Sequence, residues 1–104
     1  MATLLHKERG GLRMGYSFWE SPYSTWPLAK VEIYSDKIII TEFFSKKAEI
    51  KKSDINSIEK YGWFLGSEVK INHNSPQTMP FIVFLPRSAD KLLFQLKEAG
   101  YPVK

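Results

Sequence analysis

A chain of 104 residues has room for one domain with its own core. It contains no cysteine, which excludes disulfides and thiolate zinc sites, and its net charge of +4 is too mild for a dedicated nucleic-acid binder. No apolar run approaches the ~20 residues of a membrane-spanning helix, and the short run near Met1 is too brief for a signal-peptide core, so the expectation is a soluble cytoplasmic domain.

The first eleven residues, ending at Gly10-Gly11, read as a flexible lead, and the single domain is expected over residues 12–104. Met14, Tyr16 and Phe18 alternate with Arg13, Gly15 and Ser17, which predicts a first strand with those three on its core face. Trp19 to Pro27 reads as a loop, with Pro22 and Pro27 as breakers. Ala29, Val31 and Ile33 alternate with Lys30, Glu32 and Tyr34, a clear strand signal. After the turn Ser35-Asp36-Lys37, the β-branched and aromatic run Ile38–Phe44 predicts a well-buried strand. Ser45-Lys46-Lys47 reads as a connection, and Ala48 and Ile50 mark a brief strand before Lys52-Ser53-Asp54 turns the chain again.

Ile55 and Ile58 lie three apart, which suits either a helical turn or a strand with a bulge. Gly62 and Gly66 bracket Trp63-Phe64-Leu65. Val69 and Ile71 predict another half-buried strand, and His73 to Gln77 is loop by composition. Phe81–Leu85 is apolar at every position and reads as covered on both faces, with the final helix as its second cover. That helix is well marked. Ser88 caps it, Asp90 sits in its first turn, and Leu92, Leu93, Leu96 and Ala99 form its apolar stripe. Gly100 is the left-handed stop, with Pro102 behind it.

Seven short strands and one C-terminal helix make a mainly β domain. The segments Pro27–Ile40, Lys51–Ile58 and Phe81–Leu85 with Leu92–Tyr101 resemble the pleckstrin-homology-like superfamily, in particular its small bacterial members. The resemblance implies a split barrel of about seven antiparallel strands capped by the helix. It implies no single function, since that fold carries lipid, peptide and protein sites alike. The lipid-binding branch uses basic residues around its first inter-strand loop. Here that loop, Trp19 to Pro27, holds no lysine or arginine.

Nothing in the sequence asks for a cofactor or a metal. His6 and His73 are far apart in sequence, His73 reads as a solvated loop residue, and no catalytic motif is present. The expected function is a non-catalytic binding or adaptor module that docks a protein or peptide, or a second copy of itself, by strand addition or in a groove between sheet and helix. The candidate partner-binding residues are Trp19, Tyr23, Trp26, Trp63 and Phe64. Exposed, they anchor a partner; folded back, they plug the barrel mouth. The alternative function is a peripheral module for anionic lipid headgroups, using Lys46, Lys47, Lys51 and Lys52. The same lysines also suit an edge strand protected against aggregation.

Overall fold

A computed structural model describes residues 3–17, 19–20, 23–62 and 67–104. The chain is mainly β. Seven antiparallel strands form one sheet: β1 (Leu4–Gly15), β2 (Tyr23–Tyr34), β3 (Lys37–Glu42), β4 (Ser45–Lys51), β5 (Ile55–Tyr61), β6 (Glu68–His73) and β7 (Phe81–Leu85). One helix follows, α1 (Ala89–Glu98). The strand order is β4-β3-β2-β1-β7-β6-β5, so two meanders join where β1 pairs with β7. The sheet is open, with β4 and β5 at its ends, an arrangement consistent with a split barrel.

Alternation builds the core. Ala29, Val31 and Ile33 of β2, Ile38 and Ile40 of β3, and Ala48 and Ile50 of β4 all turn to one face and are buried. Ile55 and Ile58 of β5 join them despite standing three apart, because Asn56 is an extra residue in the register between β5 and β6. The bulge alternative therefore holds, after a short 3₁₀ turn at Lys52–Asp54.

The helix forms where the sequence marks it. The Ser88 hydroxyl accepts from the Lys91 N–H at 3.3 Å, and Ala89, Leu92, Leu93 and Leu96 are buried against β5 and β6. Gly100 takes φ 85°, and the Tyr101 N–H returns to the Leu96 carbonyl at 3.0 Å. Beyond it, the Ile58 N–H donates to the Pro102 carbonyl and the Lys104 N–H to the Ile58 carbonyl, each at 2.8 Å. The chain's last residues thus lie along the outer edge of β5.

The structure corrects several expectations. The first strand begins at Leu4, not at Arg13. Gly10 and Gly11 are no flexible lead but buried strand residues, because Gly10 lies against the Leu85 carbonyl and the Phe84 ring where a side chain would not fit. That strand ends at Gly15, so Tyr16 is exposed instead of joining Met14 on the core face; Phe18 lies outside the described residues. The loop expected from Trp19 to Pro27 ends early, since β2 starts at Tyr23. Pro27 is tolerated there because Thr25, Trp26, Pro27 and Leu28 stand opposite Gly11 alone, in a wide bulge where a missing N–H costs no ladder bond.

The strand expected to run to Phe44 stops at Glu42. Phe43 and Phe44 form a two-residue turn, and β4 starts at Ser45. Finally, Phe81–Phe84 are buried on both faces, but the helix is not the second cover. Ile82 and Phe84 enter the core, while the Phe81 ring is covered by Tyr61 in an edge-on contact at 5.9 Å and by the cations of Lys70 and Arg13 at 5.6 and 5.9 Å.

Candidate docking surfaces

β1 is longer than its neighbour on one side. Gly11–Gly15 pair with Leu85–Phe81 of β7, and there β7 ends. The other half of β1, Leu4–Gly10, pairs with β2 on one edge only. Its second edge has no strand partner among the described residues. Every strand points its amide and carbonyl groups alternately to its two edges, so this stretch presents unused backbone donors and acceptors.

Helix α1 starts just beyond β7 and flanks that edge. Between them lies a cleft of about 650 Å³. His6 and Glu8 line it from β1; Lys91, Phe94 and Gln95 line it from the helix. The pleat sends His6 and Glu8 to the same side, and their side chains bond at 2.8 Å. Asp90 at the cleft's end is held by Lys60 at 2.6 Å. The Arg87 guanidinium lies 5.6 Å from the centre of the Trp26 ring. Phe94 is a large apolar surface there without cover, 58% exposed.

The aromatic candidates divide. Trp19 is 88% and Trp26 54% exposed, so neither folds back as a plug. Trp26 is pushed out of the ladder by the bulge it belongs to. Trp63, Phe64 and the Tyr23 side chain lie outside the described residues. Two residues that alternation hid in a buried strand, Phe43 and Phe44, are among the most exposed apolar side chains, at 60% and 95%. Their strand-forming composition carries no signal of the turn they make.

The four candidate lysines are not equivalent. Lys46 bonds Glu49 at 3.0 Å, and Lys37 approaches the same carboxylate at 3.7 Å. The Lys46 hydrogen bond, with the neighbouring charges, holds the Glu49 carboxyl below its ordinary range against a smaller desolvation effect. Lys52 is taken out of the group altogether. Its ammonium donates to the Ala99 carbonyl at 3.1 Å and sits 5.2 Å from the centre of the Tyr101 ring. A cation at the negative end of α1 is a cap, not a surface charge awaiting a ligand. Lys47 and Lys51 have no ion-pair or hydrogen-bond partner among the described residues. β4 is the sheet's end strand, and Lys47 is an extra residue in its register with β3. Lysines and a bulge on an exposed edge protect it from pairing with another chain.

His73 is no idle loop residue. Its Nδ1 accepts from the Ser75 N–H at 3.0 Å, so Nε2 carries the proton and donates to the Met79 carbonyl, also at 3.0 Å. The ring pins the loop between β6 and β7. Among the described residues no group of three or more His, Asp or Glu stands together as a metal site, and no helix is long and apolar enough to cross a membrane.

Compared with known proteins, the chain matches no family model and no curated protein.

Proposed function

We propose that this domain is a non-catalytic docking module of the pleckstrin-homology-like type, and that it takes an extended peptide by strand addition along Leu4–Gly10. The observation that carries this reading is the overrun of β1 past β7, beside a cleft floored by an amphipathic helix. An added strand satisfies the unused backbone groups of β1. Alternate side chains of that strand then face α1, where Phe94 offers an apolar anchor and Lys91 a cation for an acidic residue. A cysteine-free chain suits a reducing compartment such as the cytoplasm.

Peptides selected by the domain from a random display library provide the probe, and amide hydrogen exchange provides the readout. In the free domain, amides of Leu4–Gly10 that point to β2 exchange slowly, and those that point to the cleft exchange fast. A bound peptide slows the second set and shifts the resonances of Lys91 and Phe94. Protection that rises with protein concentration in the absence of peptide assigns the same edge to self-association. If selected peptides perturb only residues away from β1 and α1, or if none is selected, the reading is wrong.

A further inference from the structure

The turn between β3 and β4 breaks a local rule without local compensation. Glu42 pairs with Ser45, leaving Phe43 and Phe44 as a two-residue hairpin loop at φ 51° and 67°. Positive φ at both central positions suits Asn-Gly, because a β-carbon crowds the backbone there. Burial does not offset this strain, since both rings stand in solvent. Backbone strain of this kind collects where the strained side chain is used.

The surroundings of the tip identify what it meets. The Phe43 N–H donates to the Leu28 carbonyl at 3.1 Å, which brings exposed Leu28 beside the rings. A shallow cleft under Phe44 is lined by three cations, Arg9, Lys30 and Lys46, against one acid, Glu32. Lys30 lies 3.8 Å from Glu32 and Lys46 bonds Glu49 at 3.0 Å, and Glu42 stands at the base of the turn; Arg9 and Lys47, which has no partner among the described residues, tip the balance of this face to positive. A protruding apolar tip with cations behind it complements a soft anionic surface, whereas a protein partner would need a pocket built for two adjacent rings.

We propose that the β3–β4 hairpin is a membrane-contact tip. Phe43 and Phe44 enter the interfacial layer of an anionic bilayer while Arg9, Lys30, Lys46 and Lys47 face its headgroups. The attraction is by net charge, with no stereospecific headgroup pocket, and it is independent of the β1 edge.

The test is co-sedimentation of the full chain with phosphatidylcholine vesicles and with vesicles of phosphatidylcholine and phosphatidylserine, at low and physiological salt. The wild type pellets only with the second composition, and more at low salt. F43N combined with F44G installs the residues this turn prefers, so the variant folds at least as well, yet its partition coefficient falls about tenfold or more. K46Q combined with K47Q lowers it by about fivefold for each charge removed. A wild type that stays in solution with both compositions overturns the proposal. So does an F43N/F44G variant that pellets like the wild type.

Discussion

Tyr101 ties the end of the helix to the sheet. Its hydroxyl donates to the Tyr34 carbonyl at 2.6 Å, and burial, aided by the charge of Asp36, pushes its phenol well above the ordinary value. The unfolded phenol titrates near about 10. The folded state therefore favours the protonated form, and this stabilisation is complete below about pH 10 and lost as pH rises through the higher folded value. Tyr101→Phe should cost about 1–2 kcal/mol at neutral pH and flatten the alkaline decline, read as urea midpoints at both ends of the range. Gly10 is a second such position. A β-carbon there meets the Leu85 carbonyl, and the Phe84 ring at 2.7 Å, so Gly10→Ala should lose about 1–3 kcal/mol as β1 and β7 are forced apart. Neither the role of Gly10 nor that of Lys52 at the helix end is visible in sequence. A Gly-Gly pair near a terminus looks like a joint, and a lysine beside three others looks like part of a charge patch. Only the fold shows Gly10 under β7 and Lys52 over the helix end.

Helix α1 was legible almost atom by atom, because cap, stripe and stop are all local signals: Ser88, Leu92/Leu93/Leu96 and Gly100. Strands were legible where alternation is clean, as in Ala29–Ile33. They were misread where composition contradicts backbone geometry. Phe43 and Phe44 have high strand propensity, and nothing near them announces a turn that strains both. The same contradiction makes F43N/F44G a stability test as well. Relief of the left-handed strain should raise the unfolding free energy by about 1–3 kcal/mol, seen in thermal and chemical melts. Of the proposed peptide site, little was legible, because the cleft arises from how far β1 outruns β7, and register between distant strands leaves no periodic trace. Edge strand β4 carries the opposite lesson, since its lysines were readable as protection. Replacing Lys46, Lys47 and Lys51 together by threonine should leave the monomer folded and make it associate with rising concentration, measurable by light scattering.

The sheet's two ends are closed by different means. β4 relies on charge and a bulge, whereas β5 is covered by the chain's own last residues through the two bonds at Ile58. Removing Pro102–Lys104 should lower stability by about 1–3 kcal/mol and expose the β5 amides to exchange. It leaves the β1 cleft intact, so the proposed peptide binding should be the same in the truncated chain and the full one. β1, at the junction of the two meanders, sets the timing of assembly. Gly15 pairs with Phe81, 66 residues further along. At about 5–20 residues per second, a ribosome needs roughly 3–13 s to supply that partner. Throughout that interval Gly11–Gly15 offers the same bare backbone as Leu4–Gly10, and the nascent chain passes through a stage at which its whole first strand is open to whatever extended segment reaches it first.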